Sequence, residues 1–369
     1  MTNQRTNSSS EPKLAGTLFD DVRRGDFRRT VKRDFRELKQ FMLTEERQKR
    51  LNNMNRFRRF FVFTWWMLRS LLMKLTPARR VLLAIAIIFL VFVNNIRYTG
   101  HNVNLNFDVG LITLVLLLFI LMLELKDKLL AKEELEGGQA IQKALMPPKS
   151  PDVPGWRLWL YTRSANEVGG DLVDFVRISQ TRFGVAVGDV AGKGLKAALL
   201  SAKLQATLRA LVSEEGTVKE LASKLNKIFS RDSLPNLFAS LFYVEVRANS
   251  DTAEFFNAGH LPPFILRGMD VEKLGKGGAA LGLIPQAEFE EQQIDLKHDE
   301  VLFVYSDGLT DAQNEFGEFF GEQRLSDLLL QSYILSTDQI GEAIIRNLDK
   351  FIGEAKAVDD VSIAILRRI

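Results

Sequence analysis

"VLFVYSDGLTDA" (Val301–Ala312) sets five apolar residues, Val301 to Tyr305, directly ahead of two carboxylates four positions apart, Asp307 and Asp311. An apolar run of this length closed by a turn signal reads as a fully buried strand. Its end is then a place of conflict, because a half-buried acid is costly unless something neutralises it.

The same device recurs three times. "NEVGGDLVDFV" puts Asp171 and Asp174 after a glycine pair, "VAVGDVAGKG" puts Asp189 at the end of an apolar strand, and "AVDDVSIAIL" puts Asp359 and Asp360 at the start of one. Glycine neighbours let backbone and ligand come close. Any single Asp of this kind is a turn or cap residue as readily as a site residue, since Asp-Gly pairs are common turn formers. Four acidic sites placed alike on strand ends point to one cluster, provided that the strand ends converge.

Such a cluster cannot stand alone. Two like charges about 4 Å apart repel by roughly 1 kcal/mol in water and about 4 kcal/mol at an effective dielectric near 20. Divalent cations reverse the sign. Oxygen-only donors without His or Cys suit hard ions, Mg²⁺ or Mn²⁺ rather than zinc or copper. Two such ions acidify a shared water and neutralise charge on a transferring phosphoryl group. That chemistry needs no side-chain nucleophile, which matters in a chain with no cysteine. Thiol-based catalysis, disulfides and Cys-ligated zinc are excluded, and three scattered histidines (His101, His260, His298) do not suggest an imidazole-rich site.

From Trp156 onward the pattern is α/β. "WRLWLYTRS", "RFGVAVGDV", "FASLFYVEVRA", "TAEFFNAGH", "PPFILRG" and "DVSIAILRRI" read as strands. Between them, "KGLKAALLSAKLQATLRALVSE", "VKELASKLNKIFSRD", "QRLSDLLLQSY" and "DQIGEAIIRNLDKFIGEA" have helical spacing. Strands that come in runs, with helix pairs inserted, predict sheets covered by helices rather than a strict βαβ series.

The first part of the chain differs in charge. Residues 1–80 hold 20 Lys/Arg against 8 Asp/Glu, leaving 29 against 38 for the remainder, so a basic arm precedes an acidic body. Residues 1–59 read as a largely flexible cytoplasmic arm. "RRFFVFTWWMLRSLLMKL" fits a helix lying in a membrane interface. The apolar runs Val81–Val93 and Val109–Leu123, extended by their flanks to about 81–98 and 107–124, predict a two-span hairpin, so that 60–124 is a membrane region. Basic residues on both outer flanks place both termini in the cytoplasm, at the inner membrane. The loop between the spans, about 15 residues, is too short for a folded ligand-binding domain. Residues 125–150 form a helical connector, interrupted at Gly137-Gly138 and ended by Pro147, Pro148, Pro151 and Pro154. Membrane lipid is the expected partner of the N-terminal region, and the connector helix is the expected place for any homodimer contact. A basic arm can also meet nucleic acid, but anionic lipid headgroups explain it more economically beside membrane segments.

"EVGGDLVDF", "VGDVAGKGLKAALL", "FNAGHLPPFIL", "LFVYSDGLTDAQNEFGEFFGEQRL" and "DDVSIAIL", in this order and spacing, resemble the bacterial PPM-type serine/threonine phosphatases of the sporulation stage II E group. The upstream "AIQKALMPP" is similar to the helix that often precedes that domain. The resemblance implies an α+β fold over 151–369, a central β-sandwich flanked by helices, with two Mn²⁺ or Mg²⁺ between the sheets. It implies that Asp171, Asp189 and the backbone carbonyl of Val190 ligate metal, that Asp307 serves the second ion, and that Asp359 completes the site. Asp174, Asp311 and Asp360 are accessory candidates. It further implies a metal-activated water attacking a phosphoserine or phosphothreonine of a protein substrate, often an anti-sigma-factor antagonist. A catalytically silent scaffold of the same fold is the competing reading. Lys193, opening a helix, either meets phosphate through its charge and the helix N-terminus or is a surface lysine beside a turn. His260 and Asn257 match a motif without a derivable role, and a hydrogen-bonded structural histidine is the simpler reading.

Overall fold

Val301–Tyr305 forms a strand whose five residues are all buried. In the computed structural model, which describes residues 54–92, 95–99, 104–232 and 237–369, Leu302 and Val304 enter the core between two sheets. Val301, Phe303 and Tyr305 face a second core beneath helices. Burial on both faces is what makes the run continuous rather than alternating. The basic arm assigned to 1–59 lies, up to residue 53, outside the described residues.

Contacts divide the chain into two units, Met1–Lys128 and Leu129–Ile369. The described part of the first unit comprises α1 (Arg56–Lys74), α2 (Pro77–Phe92), the strands β1 (Asn95–Thr99) and β2 (Asn104–Asp108), and most of the helical turns that begin α3 (Val109–Leu145). Pro77 opens α2, where its missing N–H costs nothing. Arg79 binds Glu124 at 2.8 Å and Asp127 at 2.6 Å. Phe57, Phe60, Phe61 and Trp65 are exposed along α1.

The two-span hairpin expected over about 81–98 and 107–124 finds no support among the described residues. α2 has 16 residues, about 24 Å at 1.5 Å per residue, short of the roughly 30 Å of a hydrocarbon core. The flank expected to extend it forms β1, paired antiparallel with β2 from Asn95↔Asp108 to Thr99↔Asn104. The second run passes without a break into the charged stretch after Leu123. Among the described residues, no helix is long and apolar enough to cross a membrane. Gly137-Gly138 does not interrupt the connector either, because α3 is one helix of 37 residues. Two glycines cost about 2 kcal/mol relative to alanine, which the surrounding strong helix formers offset.

The second unit is a four-layer sandwich. One sheet has the order β10 (Asp270–Lys273), β9 (Phe264–Arg267), β12 (Val301–Tyr305), β13 (Val361–Arg368), β4 (Trp156–Arg163), β3 (Asp152–Val153). The other runs β11 (Gln292–Asp295), β8 (Thr252–Ala258), β7 (Ala239–Arg247), β6 (Arg182–Val190), β5 (Leu172–Arg177). Leu158, Leu160, Val185, Val187, Phe242 and Val244 fill the space between them. The second sheet is covered by α4 (Leu195–Leu211) and α5 (Val218–Asp232), which bury Leu204, Leu208, Leu221 and Leu225 against it. The first is covered by α7 (Gly321–Ser332) and α8 (Thr337–Ile352), through Leu325, Leu329, Ile340 and Ile344. A one-turn helix, α6 (Asp307–Thr310), follows β12.

Candidate active site

Register brings the acids to one end of both sheets. β5 and β6 are antiparallel with Leu172 opposite Gly188, so Asp171, just before β5, comes beside Asp189. In the facing sheet Tyr305 lies opposite Ile363, so Asp307, first residue of α6, meets Asp359 and Asp360 ahead of β13. Gly308 permits this approach, since a Cβ there would collide with the Asp360 carbonyl oxygen and lie 3.2 Å from the carbonyl carbon of Asp359.

The carboxylates feel one another. Burial pushes the Asp171 carboxyl well above the usual range, against hydrogen bonding from Ser362, and the Asp189 charge adds to it. Asp189 is pushed up to about 6 by burial and then by the charges of Asp307, Asp359 and Asp360. Asp307 is raised by burial, by Asp359 and by Asp311, with Lys193 opposing. Lys193 reaches the Val358 carbonyl at 2.8 Å and Asp359 Oδ2 at 3.0 Å. It therefore sits on a candidate ligand rather than standing apart as a bare surface lysine.

The donors suit hard dications. All are oxygens, Asp171 Oδ2 is buried without a hydrogen-bond partner among the described residues, and Gly170 leaves room beside two of them. A Cβ at Gly170 would lie 3.0 Å from the Val190 carbonyl oxygen and 3.4 Å from Asp189 Oδ1. Among the described residues, no three Asp, Glu or His side chains are gathered closely enough around one point to ligate an ion as they stand. The convergence is that of neighbouring strand ends, with Asp171 beside Asp189 and Lys193 paired to Asp359.

Two accessory candidates have other work. Asp174 is fully buried and turned away from the cluster, toward α4. Arg209 grips it with Nε to Oδ2 at 2.8 Å and Nη2 to Oδ1 at 2.7 Å. Asp360 spends its oxygens on backbone. Oδ1 accepts from Ala165 N at 2.7 Å, and Oδ2 from Gly170 N at 2.7 Å and Asp171 N at 3.4 Å. It thereby fixes the loop that carries Asp171, while Asp359 holds Lys193 on Oδ2 and accepts from Asp360 N on Oδ1 at 3.1 Å. Asp311 stays near the site as the exposed end of α6.

Sequence reasoning missed Ser306, Gln142 and Ser240, and named Asn257 and His260 with a hydrogen-bonded structural histidine as the simpler reading. Ser306 Oγ accepts from Ser362 N at 2.9 Å and donates to the Asp360 carbonyl at 3.2 Å, tying β12 to β13 beneath the acids. Gln142 in the last turns of α3 donates to the Gly169 carbonyl at 2.9 Å and accepts from Gly169 N at 3.2 Å. The end of α3 is thus stitched to the glycine pair next to Asp171, and "GGQAIQ" carries no composition signal that marks it. Asn257 accepts from His260 N at 2.8 Å and donates to the His260 carbonyl at 3.1 Å, closing the turn at Gly259 (φ +70°). His260 Nδ1 meets Ser240 Oγ at 2.9 Å, and burial lowers the imidazole to about 4, so it is neutral. Ser240 lies opposite Asp189 in the ladder. A cleft of about 480 Å³ opens here, lined by Asp189, Asp307, Ser240, His260 and Lys276.

Two facing antiparallel sheets between helix pairs, with acids at one end, are the architecture of a PP2C domain. The SiaA-PP2C domain of Pseudomonas aeruginosa matches with a TM-score of 0.58 at 19% identity, covering 65% of this chain and 98% of that one. The RsbU and RsbW domains of Rv1364c from Mycobacterium tuberculosis match with a TM-score of 0.51 at 23% identity, covering 60% of this chain and 62% of that one. Both show the fold. The chain belongs to the Stage II sporulation protein E (SpoIIE) family, whose profile matches residues 179–369, just over half of its length. It is 28% identical over 265 residues to protein IcfG of Synechocystis sp., covering 63% of this chain and 41% of that protein. It is 23% identical over 239 residues to phosphoserine phosphatase RsbU of Bacillus subtilis, covering 64% and 70% respectively. The match with IcfG therefore spans less than half of that relative.

Proposed function

We propose that this chain is a metal-dependent protein-serine/threonine phosphatase acting on a cytoplasmic regulatory phosphoprotein, with anti-sigma-factor antagonists the first candidates. The observation that carries the reading is the gathering of Asp171, Asp189, Asp307 and Asp359 at one end of the sandwich, where burial and mutual charge hold Asp189 at about 6. The names of relatives such as RsbU and RsbP, both phosphoserine phosphatases of Bacillus subtilis, support the substrate class.

Asp171, Asp189 and the Val190 carbonyl would hold one dication, and Asp307 with Asp359 the other, Mn²⁺ or Mg²⁺. Bound there, hard dications supply a water acidic enough to ionise near neutral pH and positive charge for a transferring phosphoryl group. The remaining parts of the site position these groups. Asp360 fixes the Gly170–Asp171 backbone, and Ser201 Oγ holds the Asp171 carbonyl at 3.2 Å. Ser306 and Ser362 keep the two strand ends in register. Water is the nucleophile, so hydrolysis of the phosphorus–oxygen bond needs none of the cysteine the chain lacks. The expected result is orthophosphate release from a phosphoserine protein only when Mn²⁺ or Mg²⁺ is added. Equal release in excess chelator, or none under any cation, would count against the reading.

For location, the reading is attachment at the inner surface of the cytoplasmic membrane through α1. Exposed Phe57, Phe60, Phe61 and Trp65 beside exposed Arg58 and Arg59 support an interfacial helix. The full chain should float with vesicles containing anionic lipid, and Phe61→Glu combined with Trp65→Glu should leave it unbound. Flotation unaffected by the pair would remove α1 from the attachment.

A further inference from the structure

The cleft beside Asp189 and Asp307 contains more than the acids account for. Among the described residues lining it, Lys276 is the one cationic side chain. Its loop is anchored rather than loose. Gly278 N donates to the Asn257 carbonyl at 2.8 Å, and Gly277 packs so closely on Asn257 that a Cβ would collide with the carbonyl oxygen and side chain of that residue. The same Asn257 holds the backbone of His260 on the neighbouring wall. One asparagine thus sets two loops of the cleft relative to the strands that carry Ser240 and Asp189.

That neighbouring wall is also built. His260 is buried and neutral, and its Nδ1 is bonded to Ser240 Oγ. Its Nε2 makes no hydrogen bond of normal geometry among the described residues, although the Tyr305 backbone is near enough to favour a proton there. A buried polar framework of this kind, ending at a hydroxyl on the cleft surface, gives the cleft a fixed shape. Lys276, an exposed residue, lines the same cleft.

We propose that Lys276 is the phosphate-reading residue of this cleft, its ammonium binding an oxygen of the substrate's phosphoryl group and of the orthophosphate product. The substrate half rests on the phosphatase reading. A phosphoseryl group carries about −1.5 to −2 charges near neutral pH, and a cationic side chain lining the cleft beside Asp189 and Asp307 attracts it. A lysine is a point-charge partner for phosphate that needs no bidentate geometry, consistent with the absence of an arginine from this wall among the described residues. Ser240 and His260 shape the pocket and are positioning residues.

The test titrates inorganic phosphate into the full chain with Mn²⁺ present, read by calorimetry, alongside KM and kcat on a phosphoserine protein. Lys276→Met is expected to weaken phosphate binding by roughly tenfold, the share of one charge-assisted hydrogen bond. Lys276→Arg should restore most of it. KM should rise with kcat little changed, because the interaction is made equally in ground and transition states. Lys276 is exposed, so these variants should fold as the parent does. Unchanged phosphate affinity in Lys276→Met overturns the proposal, as does a parent chain that binds no phosphate. Should the parent bind phosphate through Lys276 yet hydrolyse no phosphoprotein, the subsite stands and the phosphatase reading falls.

Discussion

Asp307→Asn and Asp189→Asn are each expected to lower turnover of a phosphoserine protein by roughly a thousandfold or more, the equivalent of about 4 kcal/mol of transition-state stabilisation. The effect is electrostatic. An amide keeps the size of the carboxylate and loses the charge that binds a hard dication, so affinity for the ion falls with little change in packing. A second readout follows from the raised acid. Asp189 has a folded value of about 6, above the roughly 3.9 of an unfolded chain, so the folded state holds the proton more tightly. In chelator its contribution to stability is fully present below about pH 4 and is lost as pH rises toward about 6. Asp189→Asn should flatten that decline in thermal melts, and Mn²⁺ should flatten it in the parent. A catalytically silent scaffold would show no turnover to lose, and turnover unchanged in both variants would remove these acids from the chemistry.

Arg209→Ala is expected to cost about 3–5 kcal/mol of stability, because it leaves Asp174 as a buried charge without its partner. For a catalytic unit of this size that is on the order of 10 °C in Tm. Arg209→Lys should recover only part, since an ammonium cannot reproduce the planar fork on both carboxylate oxygens. Arg209 Nη2 also donates to the Leu145 carbonyl at 2.9 Å, so the substitution loosens the end of α3 as well. Turnover per folded molecule below the melting transition should survive, which separates this acid from the cluster. Thermal unfolding with parallel phosphate release checks both halves, and a melt like that of the parent would show that the pair contributes nothing measurable.

The sandwich was legible in the sequence wherever a strand's burial left a signature. Val301–Tyr305 could be assigned because both of its faces are covered, and the acids at strand ends because each follows or precedes such a run. What stayed hidden depends on partners distant in the chain. Asp174 and Asp171 look alike in "GGDLVDFV", and only the fold shows that one faces the facing sheet's acids while the other faces Arg209. In "DDVSIAIL" the two acids divide their roles by one residue of strand direction, which sends Asp360 to backbone N–H groups 190 positions away. Lys276 sits in "KLGKGG", a stretch that reads as an ordinary polar loop, and its meaning comes from the contact of Gly277 with Asn257. Glycine misled in the opposite sense at Gly137-Gly138, where a local penalty was overridden by a long helix. After the first apolar run the expected flank at Asn95–Tyr98 forms part of β1, and the second run continues as a helix into the charged stretch beyond Leu123, features that hydrophobicity alone does not reveal.

The central claim is that Asp171, Asp189, Asp307 and Asp359 together hold divalent cations. Diffraction data collected at the manganese absorption edge from crystals grown with Mn²⁺ test it most directly. Anomalous peaks enclosed by these four side chains and the Val190 carbonyl are the predicted result. An empty difference map at that position under saturating Mn²⁺, with Lys193 still paired to Asp359, would contradict it.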